Sequence, residues 1–216
     1  MRRTLHFVCA AALFVVHGFA SADNAFDSEL LAIQQAWASV NYDTPPASRD
    51  AEFSRLETRA EAFVKANPDR AEPLVWLGIV ESSHAGAKGG LGALGLAKKA
   101  RTNLESALER DPKALGGSAY TSLGTLYYKV PGFPLGFGNK DKAQELLRKA
   151  LSVNPDGIDP NYFYAEYLYE QGRYAESMQY LEQATKAAPR AGRELADQGR
   201  RGEIAALSAK VKAKMG

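Results

Sequence analysis

Three stretches of the chain end in one phrase: a small residue, a bulky apolar residue four positions on, Ala three later and Pro five beyond that. They read Ala100, Leu104, Ala107, Pro112; then Ala143, Leu147, Ala150, Pro155; then Ser177, Leu181, Ala184, Pro189. Spacings of three and four return to one face of a helix, so each phrase marks a helical stripe that alternates small with large. A small residue lets two helix backbones approach, and the large one fills the gap beside it. Proline pushes the residue before it out of the helical region, so each phrase ends where its helix ends. A first helix precedes each phrase with its own signature: Leu74, Leu77, Gly78; Tyr120, Leu123, Gly124, Tyr127; Asn161, Tyr164, Ala165, Leu168. A pair of this kind cannot bury its apolar faces alone, so the chain must stack its pairs side by side.

These residues resemble the tetratricopeptide repeat, which couples an aromatic, Leu-Gly and aromatic on one helix to Ala, Phe or Leu, Ala and Pro on the next. The run from Ile158 to Ala191, with Gly172 and Tyr174 at its turn, matches the family's length of about 34 residues. Asp159 and Pro160 read as a helix start, an N-cap followed by a first-turn proline. The resemblance implies an all-α fold, a right-handed superhelical solenoid of antiparallel hairpins with about nine helices.

The first 22 residues read as an export signal. Arg2 and Arg3 are followed by an apolar run from Leu5 to Val16 and by Ala20-Ser21-Ala22 as a small-x-small cleavage site. That run is shorter than the about 20 residues a spanning helix needs. The expected mature chain, 23–216, is one domain: a divergent hairpin at 27–68, repeats at 71–112, 117–155 and 158–191, and a capping helix at 191–214. Its expected location is the periplasm, with no stable membrane insertion once the signal is removed.

Charge and side-chain inventory narrow the function. The chain has 27 Lys and Arg against 25 Asp and Glu, and losing Arg2 and Arg3 leaves the two signs equal, which argues against nucleic acid as a partner. The basic segment from Arg190 to Lys214 reads either as a capping helix suited to its macrodipole or as an anion-binding surface. Cys9 lies within the signal, so the mature chain has no thiol, and His84 is its one histidine. Metal sites and the commonest nucleophile and base pairings are therefore not expected, nor is enzyme activity or a cofactor. Gly90 to Gly95 fits G-x-G-x-x-G, but a helix precedes it where a dinucleotide site needs a strand, and no Lys-Ser or Lys-Thr follows.

Two helix-to-helix turns are longer than the family's. Ser82 to Gly95 carries five glycines, and Val130 to Asn139 reads Val-Pro-Gly-Phe-Pro-Leu-Gly-Phe-Gly-Asn. Equivalent turns of stacked hairpins project from one edge, so the two should be neighbours. Two readings stand. His84, Leu91, Leu94, Phe133, Leu135 and Phe137 build a loop-edge site for a partner, or the same residues fold back to cover the core.

The resemblance also implies an inner groove, lined by the first helix of each pair at its second, fifth, ninth and twelfth positions. By register these include Val75 and Ile79, then Thr121, Thr125 and Tyr128, then Tyr162, Glu166 and Tyr169, with Tyr162 and Tyr169 alternatively packed on the capping helix. Tyrosines offer large contact area with few torsions to freeze, which suits an extended or helical peptide. The function so implied is an exported scaffold mediating protein-protein interaction, its protein or peptide partner and oligomeric state unassigned. A second resemblance, to the helical-repeat T component of TRAP transporters, rests on exported hairpins with Gly- and Pro-rich inserts. It implies a small-molecule or lipid-binding transport accessory protein.

Overall fold

A computed structural model describes residues 17–216, and side chains from residue 23 onward except that of Leu91. The basic and apolar parts of the expected signal lie outside the described residues. The described chain is nine α-helices and one short π-helical turn: α1 (His17–Ala38), the π-turn (Ser39–Asp43), α2 (Pro46–Ala66), α3 (Ala71–Lys88), α4 (Gly90–Arg110), α5 (Ala114–Lys129), α6 (Lys140–Val153), α7 (Ile158–Glu170), α8 (Tyr174–Lys186) and α9 (Glu194–Met215).

Successive pairs α3–α4, α5–α6 and α7–α8 form antiparallel hairpins, stacked in chain order. The small-and-large phrase does the interlocking. Leu104, Leu147 and Leu181 are buried to 1 % exposure or less, and each lies against the crossing helix where its partner residue is Gly78, Gly124 or Ala165. A Cβ on Gly78 would come within 2.6 Å of Leu104, and one on Gly124 within 2.8 Å of Leu147, so these crossings have no room for a methyl group. Each leucine buried this way contributes about 1.5–3 kcal/mol.

Helix ends follow the sequence in most places. Asn67 closes α2 with its side-chain amide donating to Phe63 O at 2.9 Å. Asn139 opens α6 by accepting from the Lys142 N–H at 2.9 Å. Asp159 differs. It is the second residue of α7, Gly157 stands at the N-cap, and the Asp159 carboxylate is drawn away to Arg190 and Arg200. Two guanidinium partners outweigh one backbone donor.

The stretch Ser82 to Gly95 is not a long loop. Helix α3 continues to Lys88, Gly89 and Gly90 turn through left-handed φ of 63° and 58°, and α4 starts at once. Buried His84 and Ala85 hold α3 in place past the point where its glycines would weaken it, so tertiary packing overrides propensity. Val130 to Asn139 is a true loop.

The array does not end as an open rod. Helix α9 packs on α8 and α7 as a cap would, and also meets α1 and the π-turn. Ala196 of α9 is buried in the same apolar cluster as Phe26, Ile33 and Trp37 of α1 and Phe53 of α2. Gln35 donates to Gly192 O at 3.1 Å across this seam. First and last helices thus touch, and the inner groove becomes a half-enclosed cavity.

Candidate binding cavity

The inner helices build the cavity wall. On α3, Trp76, Ile79, Ser82, Ser83 and Gly86 return to one face over ten residues, a helical rise of about 15 Å. On α5 the wall runs from Ser118 through Thr121 and Ser122 to Thr125 and Leu126, with Phe163 of α7 beyond. Ala93, Leu94 and Ala97 of α4 close one side, and the Val130–Asn139 loop lays Pro131 and Leu135 over one mouth. The enclosed volume is about 690 Å³, within the range of small-molecule sites.

Several of the wall's hydroxyls are occupied by their own backbone. Ser82 Oγ donates to Gly78 O at 2.7 Å, Ser83 Oγ to Ile79 O at 3.0 Å, and Thr125 Oγ1 to Thr121 O at 2.8 Å. Trp37 Nε1 donates to Ser83 Oγ at 2.8 Å. The surface left to an occupant is therefore mostly methyl, ring and methylene.

The end formed by the first turns of α5 and α7 differs in kind, because Arg190, Arg193 and Arg200 converge there with Asp159. Arg190 Nη1 reaches Asp159 Oδ2 at 2.7 Å and its Nη2 reaches Asp197 at 2.6 Å. Arg200 donates from Nε to Asp159 Oδ1 at 2.8 Å and pairs with Glu203. Arg193 lies over the Trp76 ring, 5.0 Å from its centroid. Burial, joined by the Arg190 charge, pulls the Arg193 guanidinium below the usual arginine pKa, whereas Arg200 is held above it by Asp159 despite burial.

The residues expected from sequence are distributed unevenly around this site. Ile79, Thr121 and Thr125 line the cavity. Val75 does not: it is completely buried among Leu74, Ala97 and Leu104, because this turn of α3 faces its neighbouring helices. Tyr128 donates to Glu166 Oε2 at 2.6 Å, and burial drives its hydroxyl pKa well above the ordinary value. Glu166 is thereby engaged, with Lys129 at 3.0 Å on its other oxygen. Tyr162 sits under the Arg200 guanidinium, 4.6 Å from ring centroid to Cζ, and Tyr169 packs on Tyr174. These tyrosines hold helices together.

The loop-edge set also divides. His84 lies inside α3, 4 % exposed, with Nδ1 2.7 Å from Glu57 and Nε2 2.9 Å from Asp50. It tethers α3 to α2, far from any loop role, since α3 continues where a loop was expected. Leu91 is in the first turn of α4, its side chain outside the described set. Leu94 and Leu135 both line the cavity, so the two inserts do meet on one edge. Phe137 folds inward, edge-on to Tyr127 at 5.5 Å and under Arg101 at 4.6 Å. Phe133 is 94 % exposed and Leu135 74 %.

Sequence reading missed the closing contribution of α1 and of α9 with the segment leading into it: Trp37, Arg190, Arg193 and Arg200. The basic segment from Arg190 was visible, but nothing in a repeat register brings the last helix onto the first.

A family model described as a tetratricopeptide repeat matches residues 135–198. No curated protein matches the chain. Among solved structures, the tetratricopeptide-repeat protein TTC0263 of Thermus thermophilus is 22 % identical, the match covering 88 % of this chain and 91 % of that one, with a TM-score of 0.57. MamA is 19 % identical over 76 % of this chain and 90 % of its own, with a TM-score of 0.45. The fold is that of a tetratricopeptide-repeat solenoid, and residues 135–198 carry the repeat's sequence as well.

Proposed function

We propose that this tetratricopeptide-repeat solenoid is an exported, periplasmic scaffold that binds a protein partner, and that it docks that partner through the tip of the Val130–Asn139 loop. The repeat fold itself supports a role in protein-protein interaction. The observation that carries the reading is the pair Phe133 and Leu135, 94 % and 74 % exposed on a loop that is tied down. Asn139 N–H donates to Tyr127 O at 2.8 Å, Gly138 N–H to Pro131 O at 2.9 Å, and both Leu135 and Gly136 N–H donate to Gly132 O at 3.1 Å. With Phe137 anchored below, the loop holds two large apolar groups in water instead of folding them in. Such a fixed apolar tip fits an apolar recess on another protein, where aromatic anchors carry much of the binding energy.

A binding rather than catalytic role is supported by His84, whose two ring nitrogens are already engaged by Glu57 and Asp50. Export is supported by the basic, apolar and small-residue order of residues 1–22, and no described helix is long and apolar enough to cross a membrane. A second reading, a small-molecule or lipid-binding accessory protein, is favoured by the half-enclosed cavity beneath the loop.

The test replaces Phe133 and Leu135 together with Ser and compares cross-linked complexes from the native host with those of the unaltered chain. Loss of one stoichiometric partner with an unchanged melting temperature is expected. Equal recovery of the partner by the double variant overturns the docking role of the loop, and an intact mass that retains residues 1–22 overturns export with cleavage.

A further inference from the structure

Arg193 is the cavity's one arginine without a carboxylate within 4 Å among the described residues. Its neighbours are paired with carboxylates: Arg190 with Asp159 and Asp197, Arg200 with Asp159 and Glu203. Arg193 has the amide oxygen of Gln34 at 3.4 Å from Nη1, while its Nε is buried with no hydrogen-bond partner. A guanidinium presents five donors in a rigid fork, and leaving a buried donor unpaired costs about 1–3 kcal/mol. Packing on Trp76 holds the group in place without satisfying any N–H.

From that end the cavity runs about 15 Å along α3, and its character changes steadily. Trp76 and Arg193 give way to Ile79 and Phe163, then to Ala93, Ala97 and Leu126, and finally to Leu94 and Leu135 at the mouth. The site is therefore graded: the arginine cluster lies at one end, and apolar side chains dominate toward Leu94 and Leu135, where Lys129 is a further cation already paired with Glu166 and Glu170.

We propose that this cavity binds an amphiphilic carboxylate of the fatty-acid class, its carboxylate on the Arg193 guanidinium and its hydrocarbon lying along α3 and α5 toward Leu94 and Leu135. The charge arrangement selects the head group. Three arginines face Asp159, Asp197 and Glu203, so the cluster is formally balanced and offers free donors without a strong positive field. A single carboxylate matches one planar fork, whereas a polyanion would compete with Asp159 for the same arginines. The mostly apolar wall, with the Ser82, Ser83, Ser118 and Thr125 hydroxyls turned to their own backbone, selects the tail and disfavours sugars and polar metabolites. The site shares Leu135 with the loop tip but not Phe133 or the arginine end, so the head-group contact is tested separately from protein docking.

The chain carries its own reporter, because both of its tryptophans, Trp37 and Trp76, line the cavity. Dodecanoate is titrated below its micelle concentration into the full mature chain while tryptophan emission is followed, with dodecanol and a peptide ending in an apolar residue as parallel probes. Saturable change is expected with dodecanoate, at an affinity at least tenfold tighter than for dodecanol. Arg193→Gln is expected to remove that tenfold preference and leave dodecanol binding as it was, while Arg193→Lys restores part of it. Ser122→Phe fills the cavity from α5 and abolishes the response to both; it serves as the decisive variant if Arg193→Gln does not fold. Absence of a saturable response to dodecanoate, equal affinity for acid and alcohol, an unaltered preference in Arg193→Gln, dodecanoate binding undiminished in Ser122→Phe, or tighter binding of the peptide overturns the proposal. Phe133→Ser alone leaves the cavity lining untouched, so loss of a protein partner in that variant is distinguishable from loss of the ligand.

Discussion

Arg200 donates from Nε to Asp159 Oδ1 at 2.8 Å and thereby fastens the last helix to the first turn of α7. Arg190 occupies the other oxygen at 2.7 Å. Burial alone would raise the Asp159 carboxyl, but the charges of Arg200 and Arg190 override it and hold the pKa at about 2, against an ordinary 3.8. An acid depressed in the folded state stabilises the fold above its ordinary pKa and loses that contribution as pH falls through the folded value. Asp159→Asn is therefore expected to destabilise the chain at pH 7, by about 3 kcal/mol, because it leaves Arg200 buried with its main partner gone. Since Asp159 keeps 30 % of its side-chain surface exposed, the lower end of the range for breaking a buried pair applies. Thermal unfolding at pH 7 and near pH 2 checks this: the gap between variant and parent should close in acid, and a gap that persists there assigns the loss to shape, not charge.

Glu81 carries the opposite sign. It is 2 % exposed, its Oε2 accepts from Asn103 Nδ2 at 2.8 Å, and burial pushes its carboxyl up to about 7, helped by the Glu57 charge. An acid raised in the folded state gives stability that is complete below its ordinary pKa of 4.5 and lost as pH rises through about 7. Glu81→Gln keeps an acceptor for Asn103 and cannot ionise. It should flatten the melting profile between pH 5 and 8 and raise stability at pH 8 by about 1–3 kcal/mol. A profile as steep as the parent's would place the titration elsewhere.

Gly78 and Gly124 occupy equivalent crossings, and a methyl group at either would meet a buried leucine at 2.6 or 2.8 Å. Gly78→Ala and Gly124→Ala gain helix propensity of up to about 1 kcal/mol and still should destabilise, since overpacking a filled core costs about 1–3 kcal/mol. Trimming the opposing residue restores space, so Leu104→Val is expected to recover part of the loss in Gly78→Ala but none in Gly124→Ala. Denaturant midpoints of the four variants decide it, and equal recovery in both backgrounds would mean that the pairing across each crossing is not specific.

These crossings were legible because a helix periodicity and a volume pattern coincide at Gly78 and Leu104, at Gly124 and Leu147, and at Ala165 and Leu181. The turn at Gly172 was legible for a local reason as well, since glycine permits the left-handed φ of 75° found there. The stretch from Ser82 to Gly95 was misread because glycine content reports intrinsic preference, while His84, buried between Glu57 and Asp50, holds α3 helical through tertiary contacts that have no local signature. The binding cavity was legible on one wall only. Ile79, Thr121 and Thr125 follow from repeat register, but Trp37 and Arg193 enter through the meeting of α1 with α9, a contact between residues over 150 apart. Val75, Tyr128 and Tyr162 show the limit of register as a guide, since a position that faces inward is covered wherever a neighbouring helix lies close.

The two glycines of α9 look alike in sequence and should respond oppositely to the same change. Gly202 has open space where a Cβ would go, so Gly202→Ala removes a helix-weakening residue and should stabilise by up to about 1 kcal/mol, a rise of about 2–4 °C in melting temperature. Gly199 lies against the Tyr42 ring, where an added Cβ would come within 2.4 Å of a ring carbon. Tyr42 is held by the π-turn that follows α1 and stacks edge-on with Trp37 at 5.8 Å, so it cannot retreat without disturbing the cavity wall. Gly199→Ala should therefore lower the melting temperature despite its better helix propensity, and should shift the Trp37 emission, which Gly202→Ala leaves unchanged. If both variants raised the melting temperature, α9 would not be seated on the π-turn, and the closure that turns an open groove into a cavity would be absent.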